Sequence, residues 1–413
     1  SQVFSTAEDN QTEVTINVFP GEREMVVMMA MVMALNALAI DAMLPALPAI
    51  GTSLHVATAN DRQYVIGAFV LGFGIAQLAH GPLADRFGRR RVLIVALLSY
   101  VIANLLCAVS RDFTLLLASR FAGGAAIAAA RVATVAIVRD CFHGRAMARV
   151  MSIAFMVFMI VPVVAPAFGA AVLLVGSWRT IFWAITVATL AVLVWFSLRM
   201  PETLDPADRQ PIAPGRIAAG WRLALTNRWS LGYTLAATML TGSLYGYLNS
   251  VEQIMADVFH RPRLLVVIFA TSASMMAAAN LLNARLVMRV GTRRLSHGAL
   301  VVLILTSCAH LAVTLSGAET VVTFGVFMAI TLGAFGLSAA NFSSMAMEEM
   351  GHIAGTASSV QGFMAATGGS AIGALIGQSF DGSTAPLAAG FLAAGVAALA
   401  IVAVTERGRL FGT

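Results

Sequence analysis

Asp41 lies inside a long apolar run and is followed by Ala-Met-Leu-Pro45-Ala-Leu-Pro48. A carboxylate in that setting costs several kcal/mol when charged and unpaired, so it marks an ion pathway unless water reaches it. The chemistry available to it is proton exchange, governed by solvent access and by neighbouring charge. The other reading is a solvated helix end, which Pro45 and Pro48 would suit. Arg120 and Arg131 share a second apolar run. Eleven residues is close to three helical turns, so both face one side, about 16 Å apart along the axis. Arg131 either offers a cation to a central cavity, where it would attract anionic or zwitterionic groups, or snorkels to a boundary about seven residues below it. Glu252, near the end of a third run, is either a second protonation site or a solvated end.

The elements that position these residues follow from composition. The chain has 413 residues, 59% apolar and only 11% charged, with mean hydropathy +0.84. Soluble domains carry about 25% charged residues, so a water-facing surface is excluded. The apolar runs are about 20 residues long, as a hydrocarbon core of about 30 Å requires of helices. They lack the short alternation of an outer-membrane barrel. The expected fold is an all-α polytopic membrane protein of 12 transmembrane helices in two six-helix bundles. Its expected divisions are a tail over 1–24, bundles over 25–199 and 229–404, a linker over 200–228 holding Pro201, Pro206, Pro211 and Pro214, and a tail over 405–413. The first residues, Ser1 to Pro20, read as polar and disordered, with no cleavable signal.

All 26 basic residues are arginine, and net charge is +6. The arginines concentrate in alternate connections, among them Arg86 to Arg91, Arg139 to Arg149, Arg199 to Arg228 and Arg289 to Arg294. Few, such as Arg62, Arg111 and Arg179, fall on the other side. That bias places both termini and the linker in the cytoplasm, and it explains the net charge without a nucleic-acid partner. The depths also agree. Asp41 lies 16 residues after Met25, about 24 Å from the inner edge, and Arg120 about 10 Å below the outer edge. The two meet if spans one and four are neighbours. Gly81-Pro-Leu-Ala-Asp85-Arg86-Phe-Gly88-Arg89-Arg90-Arg91 after span two aligns with Ala284-Arg-Leu-Val-Met288-Arg289-Val-Gly291-Thr-Arg293-Arg294 after span eight. This is either an internal repeat relating two halves or the Gly and Arg that any short cytoplasmic loop attracts.

Gly81 to Arg91 resembles the loop-2/3 signature of the major facilitator superfamily. The Asp41 to Pro48 segment resembles the D-x-x-LPALP segment of its Bcr/CflA drug-resistance branch. Arg120-Phe-Ala-Gly123-Gly124 is similar to the span-four motif R-x-x-Q-G, with Gly123 in place of Gln. Pro162-Val-Val-Ala-Pro166-Ala-Phe-Gly169-Ala170 resembles the antiporter motif of span five, departing at Ala170. Pro201-Glu202-Thr203-Leu204 also looks like this branch. The resemblance implies proton-driven antiport of drugs or other small amphipathic compounds out of the cytoplasm, in a monomer of the bacterial inner membrane, with protons as coupling ion and no other cofactor. It implies that Arg120 belongs to the proton-coupling apparatus with Asp41. It also implies that Gly81, Asp85, Arg86, Gly88, Arg89 and Arg90 form a latch stabilising the outward-open state, its carboxylate facing the N-terminus of span eleven. Pro162, Pro166 and Gly169 should kink span five and permit close packing. With Met288 in place of an aspartate, the second loop should latch weakly or not at all.

For the substrate cavity, Arg131, Asn36, Gln77, Asn104, Asn280, Asn283, Asn341 and Gln361 are polar residues in or near spans. Tyr245, Tyr247 and Phe269 could stack on aromatic substrates. His80 and His310 read as packing histidines, Glu348 and Glu349 as caps of span ten. Cys107, Cys141 and Cys308 read as buried hydrophobes with no metal-ligand spacing. No nucleophile constellation or phosphate-binding loop suggests an enzyme or ATP as energy source. Rival readings are an exporter of one metabolite (an amino acid, sugar or siderophore) and a non-transporting receptor or scaffold on the same fold. Buried charge speaks against the scaffold.

Overall fold

The computed structural model describes residues 22–142 and 144–411, without the side chains of 22–23, 144–149, 151–158, 208 and 352. The tail expected over residues 1–21, and the topological roles of the Arg23, Arg145 and Arg149 side chains, lie outside the described residues. Among those described, the regular structure is entirely helical. Ten segments are long and apolar enough to cross a membrane. The first, Glu24–Ser53, comprises most of α1 (Glu22–Asp41), a 3-10 turn at Leu44–Ala46 and α2 (Leu47–Ser53). The others are built on α3 (Tyr64–Phe87), α4 (Arg89–Val109), α5 (Phe113–Cys141), α7 (Trp178–Arg199), α10 (Leu265–Val290), α11 (Thr292–Leu315), α12 (Val321–Met347), the pair α13 (Ala354–Phe363) and α14 (Gly369–Gln378), and α15 (Ala385–Thr405).

Two further helices complete twelve passages: α6 (Gly144–Val175) and α9 (Arg228–Gln253). α9 is too polar to qualify by hydropathy. Its Thr234, Thr238, Ser243, Asn249 and Ser250 are buried, because α12, α14 and α15 cover it on most sides. A span shielded by neighbouring helices need not be apolar. The outer helices show the opposite pattern. Val95, Leu98, Ile102, Leu106 and Val109 form an exposed stripe on α4, as do Trp183, Val187, Leu190, Val194 and Leu198 on α7. These stripes repeat every three to four residues and suit a lipid surface. Cys107 is buried, but Cys141 is half-buried and Cys308 exposed, so the cysteines are not uniformly core residues.

Three passages depart from the single helices expected. The first is broken after Asp41. The eleventh carries a π-turn, Met364–Gly368, between α13 and α14, and α9 runs into another at Ile254–Val258. The linker is also not an open loop. It contains α8 (Pro214–Thr226), whose Gly220 and Ala224 pack on Thr356, Ala357 and Val360 of α13.

Small residues set how closely the helices approach. α3 and α5 cross with Gly72 against the Phe121 carbonyl and Gly124 against the Phe69 carbonyl, so a Cβ on either glycine would overlap backbone. Between the halves, α3 meets the eleventh passage, where a Cβ on Gly74 would lie 2.8 Å from the Ala366 methyl, and α6 meets α10. Gly123 differs from its neighbour: a Cβ there meets Ala103 at an ordinary 3.4 Å. Gly124→Ala should therefore cost about 1–3 kcal/mol by overpacking, read as a clear drop in the melting temperature of the detergent-purified protein. Gly123→Ala should leave that temperature nearly unchanged. Equal effects would show that the α3–α5 approach is looser than described.

Candidate functional site

The break in the first passage follows from two prolines. Pro45 and Pro48 have no N–H, so the carbonyls of Asp41 and Leu44 lack their helical donors. The chain tightens instead: the Met43 N–H donates to the Ile40 carbonyl at 3.3 Å and the Ala46 N–H to Met43 at 2.9 Å. Met43 thereby abandons the Ala39 carbonyl. Arg120 takes it, donating from Nη2 to Ala39 O at 3.1 Å and from Nε to Val65 O at 3.0 Å. The guanidinium also lies 4.3 Å from the Phe69 ring centre and 6.0 Å from that of Phe182. It is 2% exposed. On its other side Tyr100, Asn104, Cys107 and Ser119 enclose a gap too tight for water.

Arg120 and Asp41 thus sit at one depth but form no ion pair with each other; the arginine meets α1 two residues before the carboxylate. Asp41 is 5% exposed and has no hydrogen-bond or ion-pair partner among the described residues. Gly169 of α6 packs on the same turn, where a Cβ would overlap the Ala42 carbonyl and lie 3.1 Å from Pro45 Cγ. Pro162 and Pro166 are accommodated within one continuous α6, with Pro166 buried. Facing Asp41 from the opposite half is Tyr245, half-buried and within electrostatic reach of both Asp41 and Arg131. Arg131 is solvent-exposed. An exposed side chain that senses the other bundle lies on a central cavity and not on lipid.

Most of the other cavity candidates are ties between helices. Gln77 donates to the Gly362 carbonyl across the seam between the halves at 3.3 Å. Asn104 donates to the Tyr100 carbonyl and Asn280 to Met276 within their own helices. Asn283 and Asn341 exchange amide bonds of 3.1 and 2.8 Å, joining α10 to α12. Gln361 and Ser343 do the same for α13 and α12. Tyr247 and Phe269 are both buried and stack on each other, 5.9 Å between ring centres, so neither is available to a substrate. What remains for the cavity is Arg131, Tyr245 and Asn36, whose buried side-chain oxygen has no partner among the described residues.

A cluster the sequence reading missed closes the arginine-poor end. Arg62 pairs with Glu252 at 3.1 Å and Asp257 at 3.7 Å. Gln63 donates to Gln253 at 2.6 Å and to the Gly377 carbonyl at 3.2 Å. Asn60 accepts from Gln253 and donates to the carbonyls of Gln378 and Phe380. Glu252 is 4% exposed, which removes the solvated-end reading. The only signal was polar residues, Asn60 to Gln63 and Glu252-Gln253, at span ends that resemble ordinary loops. At the opposite end no hydrogen bond or ion pair among the described residues joins α5 to α12. Among the described residues, the polar cluster that ties the halves together therefore lies at the arginine-poor end.

At the arginine-rich end, the Asp85 carboxylate is bound by Arg89 and makes no bond to α13 among the described residues. Arg89 also reaches Asp140 at 3.3 Å. The α4 N-terminus is occupied by Glu202, which accepts from the N–H groups of Arg89 at 2.8 Å and Arg90 at 3.4 Å beside Gly88, whose φ is +96°. Arg90 donates to the Ser197 carbonyl, while Arg86 is exposed and Gly81 has open space beside it. In the second copy Met288 is 84% exposed. Yet that loop is not free: Arg293 holds Glu406 at 2.8 Å and Glu348 at 3.6 Å. Of the two histidines, His80 bonds the Ala125 carbonyl, and His310 is buried against Glu319.

Arg120 uses two separate donors on two helices, which one ammonium cannot reproduce. Arg120→Lys should leave a buried carbonyl unpaired, a cost of about 1–3 kcal/mol. Both the melting temperature and transport should fall, the latter at least tenfold. Wild-type values for both would mean that the two carbonyl bonds carry no weight.

The comparisons agree with this geometry. The family model for the Major Facilitator Superfamily matches residues 29–374. An uncharacterized MFS-type transporter of Bacillus subtilis, YdgK, is 28% identical, covering 92% of this chain and 94% of its own. A bicyclomycin resistance protein homolog of Haemophilus influenzae is 27% identical over 84% and 87% of the two chains. Multidrug resistance protein MdtL of Escherichia coli is 28% identical over 74% and 80%. Among solved structures, the human organic anion transporter MFSD10 (TETRAN) superposes with a TM-score of 0.68 at 19% identity, covering 94% of this chain and 99% of its own, a likeness of fold. A twelve-passage bundle of two halves around a central cavity, matched over most of its length, is a non-enzymatic membrane transporter, and the chain belongs to the Major Facilitator Superfamily.

Proposed function

We propose that the protein exports small amphipathic compounds, drugs among them, from the bacterial cytoplasm in exchange for protons, acting as a monomer in the inner membrane. The observation that carries this is Asp41: a buried carboxylate at a helix break, without a charged partner among the described residues. Two relatives bear names of drug resistance, and the Asp41, Arg120 and Gly169 segments follow the same branch. The arginine bias puts the arginine-rich end in the cytoplasm; with the polar closure at the other end, this supports an inward-facing conformation.

In the cycle that follows, Asp41 arrives protonated from outside and releases its proton inward, and a substrate takes its place. Arg120 acts as a positioning residue. It fixes the backbone from which Asp41 projects and supplies positive potential without neutralising the carboxylate. Rocking of the halves then requires two exchanges. The polar closure around Arg62, Glu252 and Gln63 opens outward, while the arginine-rich end closes. Asp85, held by Arg89 in the inward-facing form, would then turn to the positive N-terminus of α13.

Two measurements test the scheme. In proteoliposomes, an imposed pH gradient, acidic on the outer face, should drive substrate outward. Asp41→Asn should abolish that drive while leaving downhill exchange; an Asn variant that still responds to the gradient would overturn the assignment. Glu252→Gln removes the nearer of the two carboxylate partners of Arg62 and should weaken the outer closure. Spin-label distances between the start of α3 and the end of α14 should lengthen in a larger share of molecules than in wild type. An unchanged distribution would mean that the ion pair does not hold the gate.

A further inference from the structure

The cavity holds two charges that the protein leaves unanswered, and they are of opposite sign. Arg120 is consumed by two carbonyls. Arg131 has no hydrogen-bond or ion-pair partner among the described residues, although a guanidinium carries five donors and does not lose its charge in proteins. It is not a boundary residue. Asp140, which belongs to the ion cluster with Arg89, lies nine residues further along α5, so Arg131 stands about 13 Å deeper. Tyr245, from the other half, is within electrostatic reach of Arg131 on one side and of Asp41 on the other. Cation, phenol and carboxylate are thus electrostatically linked between the two halves.

We propose, building on the antiport reading, that the preferred substrate is a zwitterion. Its anionic group (a carboxylate or phosphate) pairs with Arg131, its cationic group with Asp41, and its apolar body lies beside Tyr245. A purely cationic compound would satisfy Asp41 but leave Arg131 with water as its only partner. A purely anionic one would bind Arg131 and favour the protonated form of Asp41, so it would travel with the proton and not against it. A zwitterion satisfies both charges while its cationic end competes with the proton. The division of labour then follows from chemistry. Asp41 can be neutralised and so handles exchange; Arg131 cannot, and so supplies affinity in every protonation state.

The test uses one aryl scaffold in four forms: amine, carboxylate, both groups on a flexible spacer, and neither. Binding to the full-length purified protein is measured by calorimetry. The wild type should bind the zwitterion at least tenfold more tightly than the other three. Arg131→Gln should lose at least tenfold more affinity for the zwitterion than for the amine, and Arg131→Lys should recover most of the difference. Melting temperatures establish that each variant is folded, and Arg131→Lys keeps the comparison valid if the Gln variant is not. A wild type that binds the amine as tightly as the zwitterion, or an Arg131→Gln that weakens both equally, overturns the proposal. Transport driven by a pH gradient is scored separately. If the gradient drives no form while the Arg131-dependent preference persists, antiport fails and the substrate assignment stands. If it drives the amine alone, unaltered by Arg131→Gln, antiport stands and the assignment fails.

Discussion

The bond from Arg120 to the Ala39 carbonyl is the constraint on which the rest of the site depends. In a hydrocarbon core every backbone polar group needs a partner inside the protein. Pro45 and Pro48 deny the first passage that self-sufficiency, and the chain turn they produce strands a carbonyl at mid-depth. A guanidinium from another helix is the group best able to satisfy it, since the remaining donors can bind a second carbonyl and the flat face can rest on Phe69. Three stretches that look separate in the sequence are therefore one structural unit. The Asp41–Pro48 segment makes the break, Arg120 satisfies it, and Gly169, having no side chain, lets the turn pack on α6. Asp41 is left unpaired because the nearby cation is already occupied.

The same reasoning separates rigid from movable contacts. Where α3 and α5 touch backbone to backbone at Gly72 and Gly124, no rearrangement is available without loss of packing. The two ends of the cavity are built differently. The arginine-poor end is closed by amides and by Arg62 with its two carboxylates, each bond short-ranged and exchangeable with water. Polar closure of this kind can open at small net cost, because the bonds broken are replaced by bonds to solvent. The first half therefore stays packed around the α3–α5 crossing while the polar contacts between the halves trade partners.

The bundle was largely legible in the sequence, because hydropathy and arginine placement obey the bilayer alone. The depth match of spans one and four was also accessible, since helical rise is constant. The side-chain assignments were less so. Asn283, Asn341, Gln77 and Gln361 have the composition of cavity residues, but an amide in a span is as readily satisfied by a neighbouring helix as by a substrate. Only the partner distinguishes the two, and partners are set by helix rotation, which single-sequence periodicity does not resolve. Glu252 shows the same failure in reverse. Its neighbours read as loop because the residues that bury it, Arg62 and Gln63, lie far away in the chain. The meeting of Arg120 with the first passage was expected from depth and is found, but the group it binds is the Ala39 carbonyl freed by the proline break, which depth alone does not reveal.

Charge inventory gives the clearest division between structure and function. The C-terminal half is not as poor in buried charge as its spans suggest: His310 faces Glu319, Arg293 faces Glu406, and Glu252 faces Arg62. Each of these is paired, and each lies towards an end of the bundle. Paired charge at a span end fixes geometry and is spared the full cost of burial. Asp41 and Arg131 have neither advantage. Both stand well inside the span, and both lack an ionic partner among the described residues. For the buried Asp41, folding alone would favour an apolar side chain, since a charge without a partner at that depth subtracts from stability; Arg131 has only water to answer it. Their presence has a physical explanation if what completes them arrives from outside the chain: a proton for one, an anionic group for the other.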